Sequence, residues 1–252
     1  MKNDLRPTER FTNRVDNYTK YRPSYPPEVI TLLTNKLALS KGATIADLGS
    51  GTGIFSELLL NAGYKIFGVE PNAAMRLEAE RRLYNYNNFT SIVGKGEHTG
   101  LPNNCVDAIT VAQAFHWFEP EESKKEFRRI LKANGAVALL WNVRVNTTQQ
   151  MVEYEKLKVD FGTDYLLTKR ADENAIKTFF AHGGYETYTL PNNQLLDFST
   201  LKGQLLSSSY IPTENHPHFN DMIAALEDIF AHYSKNGFIE IEQETKLYLG
   251  RL

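Results

Sequence analysis

A single cysteine, Cys105, stands in a chain of 252 residues. No intrachain disulfide can form, so packing alone must hold the fold, and a reducing compartment suits it. Cations are not in excess either. The 28 lysines and arginines face 30 aspartates and glutamates, for a formal net charge of −2. That balance gives no large phosphate footprint, and a nucleic-acid partner is not expected. No apolar run approaches about 18 residues, so no bilayer span is expected. The opening "MKNDLRPTER" lacks the apolar core of a secretory signal. Together these absences lead to the expectation of a cytoplasmic protein. Metal-ligand patterns are missing as well. There is no H-E-x-x-H and no cysteine pair, His216 and His218 fall in a polar loop, and His182 and His232 stand alone on expected helices. No repeat, low-complexity tract or linker interrupts the chain, which reads as one domain over residues 1–252.

What is present is alternation. The first 26 residues are polar and aromatic. Lys2, Arg6, Arg10, Arg14, Lys20 and Arg22 are interleaved there with Asp4, Glu9 and Asp16, and most read as solvated charge. Apolar spacing predicts a helix over 28–39. Strands are expected at 43–48, 65–70, 89–94, 106–112 and 136–141. Between them the pattern predicts helices at 54–63, stopped by Gly63, and at 72–84, capped by Asn72 and carrying a Glu78–Arg82 pair. A further helix is expected at 119–135, with Pro120 in its first turn and Gly135 as its stop. Strands alternating with helices of this size mean βαβ units, a parallel sheet and helices on both faces, a doubly wound α/β fold. After Trp141 the rhythm changes to loop and helix through 182. A strand is expected at 185–190, helices at 198–208 and 219–237, and a closing strand at 242–252.

The stretch "IADLGSGTGIF" (45–55) follows the first strand of the series. Glycines there permit a sharp turn and close approach of a ligand to backbone N–H groups. Ligands of doubly wound sheets bind at the carboxyl ends of strands. The spacing is G-x-G-x-G, with Ile54 where a dinucleotide fingerprint has its third glycine, and no P-loop pattern occurs. Asp47, two residues before Gly49, would repel a pyrophosphate but can hold an ammonium. The spacing therefore points to a nucleoside carrying an amino acid. Glu70, 21 residues beyond Gly49 at the tip of the next strand, is placed to accept both ribose hydroxyls.

"DLGSGTG" and "GVEPNAAM" resemble the first two motifs of class I S-adenosylmethionine-dependent methyltransferases. "VGKGEHTGLPNNCVDAITVAQAFHWF" (93–118) and "ILKANGAVALLWN" (130–142) resemble the later ones, so the likeness runs over residues 44–142. "YRPSYP" (21–26), "AFHWF" (114–118) and the tail "LKGQLLSSSYIP" with "LYLGRL" are similar to the trans-aconitate methyltransferase-like group. The resemblance implies a Rossmann-like seven-stranded sheet of order 3-2-1-4-5-7-6 whose last strand is antiparallel. It also implies helical cap elements, drawn from residues 1–40 and 142–240, on the substrate side. S-adenosyl-L-methionine is the implied cofactor. Gly49, Ser50, Gly51, Thr52 and Gly53 would line its methionine and ribose, Asp47 would fix the amino group, and Glu70 would hold the diol. Pro71 and Met75 would pack near the adenine, with Gly96, Glu97 and His98 at its edge. Gln113 and Ala114 would meet the methionine, and Tyr21 and Arg22 would close over it. Gly96 stands where the family often has Ala.

Methyl transfer needs alignment and exclusion of water more than acid–base chemistry. A carboxylate acceptor, giving a methyl ester, requires no base. A hydroxyl or amine acceptor would use one, and His116, just past the fourth strand, is the candidate. Trp117 and Phe118 read as pocket wall. Arg22, Arg144, Ser207, Ser208, Ser209 and Tyr210 are candidates for holding a small-molecule carboxylate. A nucleic-acid base methyltransferase would carry N/D-P-P-Y/F where this chain has "AQAF", and Ile54 speaks against an NAD-linked oxidoreductase. A cofactor-binding module without turnover stays open, as does the oligomeric state.

Overall fold

Along β1 (Thr44–Leu48) every residue after the first is buried. Ile45 enters one core while Ala46 and Leu48 enter the other. A strand covered on both faces has no polar side, which is why this run lacks the polar alternation of a surface strand. The computed structural model describes residues 15–163, 165, 172–181 and 183–252. Lys2, Asp4, Arg6, Glu9, Arg10, Arg14 and His182, and the side chain of Asp16, lie outside what it describes.

β1 is hydrogen-bonded in parallel to β2 (Lys65–Val69) and to β4 (Val106–Ala112), with β3 (Phe89–Ile92) beyond β2 and β5 (Leu131–Arg144) beyond β4. After β6 (Tyr185–Pro191), the short β7 (Gln194–Leu196) and β8 (Ile239–Ile241) form a separate antiparallel ribbon. β9 (Gln243–Gly250) then inserts antiparallel between β5 and β6. The main sheet runs β3-β2-β1-β4-β5-β9-β6. Since β9 is its seventh strand in chain order, this is the expected 3-2-1-4-5-7-6 arrangement with its antiparallel last strand.

Helices cover both faces. α2 (Glu28–Lys36) and α3 (Ile54–Asn61) pack Val29, Leu33, Phe55 and Leu59 against Ile45, Ala108 and Leu140. On the other face α5 (Pro120–Ile130) and α7 (Glu173–Phe180) pack Phe127, Ile130, Phe179 and Phe180 against Ile109, Val111, Leu139 and Trp141. A third cluster joins α6 (Gln149–Phe161), α8 (Phe198–Leu206), α9 (Phe219–Tyr233) and the ribbon through Met151, Tyr154, Leu201, Leu226 and Ile239. No helix among the described residues is long and apolar enough to cross a membrane.

Local chemistry sets most boundaries. Asn72 caps α4 (Ala73–Arg82), its side chain accepting from the Met75 amide at 3.0 Å, and Pro120 opens α5. Four expectations need correcting. α5 stops at Ile130, not Gly135. Leu131 turns extended to pair with Val106, and residues 132–135 bulge before pairing resumes at Ala108 with Ala136. α9 ends at Tyr233, because Asn236 and Gly237 both take positive φ in a tight turn closed by Lys235 and Phe238. Asn-Gly is the residue pair such a turn demands, and this signal in the sequence was passed over. α1 (Val15–Tyr21) is a helix in a polar and aromatic segment for which no element was expected, and it packs on α8 and α4. Arg82 does not pair with Glu78. It reaches across to Glu57 on α3 at 2.9 Å, while Glu78 takes Arg81.

Phe127 is fully buried and packs edge-on to Phe118 and Phe179. Phe127→Ala is expected to lower unfolding free energy by about 3–5 kcal/mol, read as a fall in the urea midpoint at an unchanged slope.

Candidate active site

The turn after β1 is held by what surrounds it. Gly49 has a φ of +68°, and a Cβ there would sit 2.5 Å from the Ala114 Cβ, so only glycine fits. Gly51 has a φ of +56°, and a Cβ there would meet nothing within 4 Å. Its Cα borders a cradle that a side chain would fill. The Gly51 amide donates to Glu70 Oε2 at 3.0 Å, and the Asn72 amide donates to Oε1 at 2.8 Å. Glu70 thus ties the glycine turn to the tip of β2. Each of its oxygens keeps a lone pair for another donor. Glu70 is only 8% exposed, and burial pushes its carboxyl above the usual range, against the pull of the two backbone bonds.

Asp47 is 1% exposed at the floor of the turn. Ser56 donates to its Oδ2 at 2.6 Å and Thr110 to its Oδ1 at 2.9 Å, which braces β1 against α3 and β4. Burial pushes this carboxyl up to about 6, with the two hydroxyls opposing. Each oxygen accepts one bond within the protein and, as at Glu70, keeps a lone pair for another donor. The Thr52 hydroxyl next to it is buried with no partner among the described residues.

Two cavities meet at this turn, sharing Tyr18, Gly49, Gly51, Gln113 and Trp117 in their walls. One, of about 440 Å³, lies over Glu70, Pro71, Met75, Gly96, Glu97, Ala114 and Phe118. Its far wall is fixed to α5 by two carboxylates. Glu97 accepts from the Glu119 amide at 2.7 Å, and Glu126 accepts from the amide and hydroxyl of Thr99 at 2.8 and 2.6 Å. Burial works against the charge of Glu126, but the Arg129 fork and Thr99 hold its carboxyl at about 2.

The other cavity, of about 360 Å³, is walled by Asp47, Thr52, His116, Trp141 and residues from the helical part, among them Arg22, Arg144, Ser209 and Tyr210. Arg144 lies with its guanidinium 5.5 Å from the centre of the Tyr154 ring. Burial opposes the charge of Arg144, but Tyr154, Tyr210 and Glu155 outweigh it and raise its pKa above the ordinary value. Glu155 is neutralised by the fully buried Lys158, and it also accepts from the Tyr165 hydroxyl. Neither Arg22 nor Arg144 forms an ion pair with a carboxylate among the described residues, although Glu155 and Glu173 share their cavity. The Nε atoms of Arg22 and Arg144, the Tyr154 hydroxyl and Gln243 Nε2 are buried without hydrogen-bond partners among the described residues. Trp141 donates its indole N–H to His116 Nδ1 at 3.5 Å, so the neutral imidazole carries its proton on Nε2.

Of the residues expected at the cofactor, the turn 49–52, Asp47, Glu70, Pro71, Met75, Gly96, Glu97, Gln113, Ala114 and Arg22 all line one or both cavities. Three do not. Gly53 caps α3, and a Cβ there would strike Leu83. His98 is exposed in a small bridge with Lys95. The Tyr21 ring lies on Gly203 of α8, and Tyr18, one turn earlier, takes the cavity position instead. Ser207 donates to the Gln204 carbonyl at the end of α8, and Ser208 is buried, which leaves Ser209 and Tyr210 at the cavity. Thr52, Tyr154 and Gln243 acquire interest only through their unpartnered atoms, which depend on tertiary packing. No cluster of three or more metal-ligating side chains occurs among the described residues. His216 Nδ1 accepts the His218 amide at 3.3 Å, and His232 stacks on Tyr233.

Residues 46–139 match the family described as a methyltransferase domain. An uncharacterised methyltransferase of Schizosaccharomyces pombe is 31% identical over 54% of this chain and 54% of its own. One from Mycobacterium tuberculosis is 36% identical over 53% and 52%. The aligned part of the chain thus spans about half the length of these curated relatives. Among solved structures, a type II methyltransferase structure from Anaeromyxobacter dehalogenans superposes with a TM-score of 0.64 over 91% of this chain and 97% of that one, at 19% identity. That likeness establishes the fold. The seven-stranded core shares its fold with that structure, and residues 46–139 are similar to a methyltransferase domain, whose cofactor is S-adenosylmethionine. The cradle at Gly51, the spare lone pairs of Glu70 and the unpartnered Thr52 hydroxyl fit that molecule.

Two outcomes follow. Glu70→Gln replaces an acceptor with a donor facing a backbone N–H, and should weaken S-adenosylhomocysteine binding about tenfold or more by calorimetry. Asp47 has a folded pKa near 6, above an unfolded value of about 3.9. Its contribution to stability is therefore fully present below about pH 4 and lost as pH rises through about 6, an effect of up to roughly 3 kcal/mol. Asp47→Asn should flatten the melting temperature over that window.

Proposed function

We propose that the protein transfers a methyl group from S-adenosylmethionine to a small anionic molecule, with a carboxylate oxygen as nucleophile and a methyl ester as product. The observation that carries this reading is the pair Arg22 and Arg144, two guanidinium groups at one cavity whose buried Nε donors have no hydrogen-bond partner and which form no ion pair among the described residues. Donors desolvated and left unpaired are costly, and a bound carboxylate would satisfy them in a fork geometry. The likeness to the trans-aconitate methyltransferase-like group points the same way.

When bound, the cofactor supplies a methyl on a positively charged sulfur, which departs as a neutral thioether. The rest falls to the chain's own residues. Glu70 would hold the ribose diol, and Met75 and Phe118 would flank the adenine. Tyr18, Gln113 and Trp117, where the cavities join, keep water from the reacting centre. Arg22 and Arg144 hold the acceptor so that one oxygen remains free to attack. With a carboxylate held this way, transfer to its free oxygen would need no proton moved by the protein. His116 agrees with this. With Nδ1 accepting from Trp141 at 3.5 Å, His116 can offer its Nε2–H to the acceptor, and ester formation asks no base of it. Residues before β1 and those of α6, α8 and α9 form the acceptor's cap within a single domain. A cytoplasmic setting, without nucleic-acid or membrane partners, accords with the even charge and the lone Cys105.

The test is transfer of radiolabelled methyl to panels of small carboxylates, alcohols and amines. The label should go to a carboxylate and be released as methanol in base. Base-stable label would overturn the ester and favour a hydroxyl or amine acceptor. No transfer with cofactor binding intact would favour a binding module. Arg144→Gln should raise KM for the acceptor roughly 10- to 100-fold, an effect of about 1.4–3 kcal/mol, and leave cofactor affinity unchanged.

A further inference from the structure

We infer that Asn192, together with Asn142, is a positioning residue that clamps the hinge of an N-terminal strap over both cavities. The strap is α1 and the residues that follow it. It carries Tyr18, which lines both cavities, and Arg22, which lines one. At its start α1 rests on α8 and α4. At its end Tyr25 is buried and packs edge-on to Phe55, 4.9 Å between ring centres. The last peptide before that anchor is the hinge. Its carbonyl, on Ser24, accepts from Asn142 Nδ2 at 3.1 Å and from Asn192 Nδ2 at 3.0 Å.

The clamp is itself built in. Asn142 Oδ1 accepts from the Thr245 hydroxyl at 2.6 Å and from Asn192 Nδ2 at 3.1 Å, so the two protons of Asn192 Nδ2 serve Ser24 and Asn142. The Asn192 backbone amide donates to the Gln243 carbonyl at 2.8 Å. The end of β5, the turn after β6 and β9 thus converge on one peptide. The Asn142 carbonyl also accepts from Gln113 Nε2 at 3.3 Å, and Gln113, at a φ of +61°, stands where the two cavities join. Two amides therefore set the plane of the Ser24 peptide and, through it, where Tyr18 and Arg22 fall. Pro23, Pro26 and Pro27 flank the hinge without backbone N–H groups, so the segment has few donors with which to hold itself.

Asn192 lines neither cavity, so its replacement reads the clamp and not the ligand contacts. The full chain is compared with Asn192→Ala and Asn192→Asp, the second keeping the shape while removing the donor. Trypsin cleavage after the exposed Lys20 should accelerate several-fold in both without a matching fall in melting temperature. S-adenosylhomocysteine should dissociate several-fold to tenfold faster. Unchanged cleavage in both variants overturns the clamp. Faster cleavage with unchanged dissociation confines the clamp to the strap and overturns its role in retaining cofactor. The ligand arm rests on the cofactor reading. If the unaltered protein binds no S-adenosylhomocysteine, that reading fails, and the cleavage arm still decides the clamp.

Discussion

The carboxylate of Glu70 is the interaction on which the site depends. It stands at the tip of β2, buried, and receives one backbone N–H from the glycine turn after β1 and another from the start of α4. A turn with three glycines has little of its own to fix it, because each glycine widens the choice of backbone conformations. Glu70 removes that freedom on one side. On the other, Ala114 and Phe118 press against Gly49. The turn is thereby fixed as a floor between two cavities, and the carboxylate that fixes it keeps lone pairs for a ligand. The burial that raises its pKa also strengthens every bond it makes.

Around that floor the charges are distributed unevenly. Beside the cavity over Glu70 two carboxylates are matched, Glu126 by Arg129 and Glu97 by a helix amide. In the helical part Glu155 is matched by Lys158, which also lies 4.8 Å from the centre of the Tyr154 ring. Arg22 and Arg144 are, with Thr52 and Gln243, members of the other cavity whose polar atoms are left over among the described residues. Native interiors rarely leave buried donors unpaired without a reason, and a bound anion is a physical reason that suits both arginines at once. An in-line displacement by a carboxylate asks nothing further of the protein than position and dryness.

Much of this was legible in the residues. The presence of the first five strands follows from alternation of apolar runs, their order in the sheet from the resemblance, and the glycine turn and Glu70 from spacing. Asn72 and Pro120 follow from the chemistry of helix starts. What was not legible depended on contacts distant in sequence. Asp47 accepts from Ser56 and Thr110, which no spacing rule pairs with it. Arg82 prefers Glu57 on another helix to Glu78 on its own. Leu131 ends α5 because Val106 offers it a strand partner, and Gly135, the apparent stop, serves the bulge behind it. The ribbon of β7 and β8 joins segments more than forty residues apart, and only the Asn236-Gly237 pair marked its approach. Tyr18 displaced Tyr21 at the cavity because Gly203 gives the Tyr21 ring a seat on α8.

The central claim is that the two cavities form one site, with an adenosyl group over Glu70 and an acceptor facing Arg22 and Arg144. Diffraction from crystals soaked with S-adenosylhomocysteine tests it most directly. The account predicts ribose density at Glu70, a base between Met75 and Phe118, and the sulfur end directed past Gln113 toward the arginines. Density elsewhere, or protein side chains filling the space beside Gly51, would contradict it.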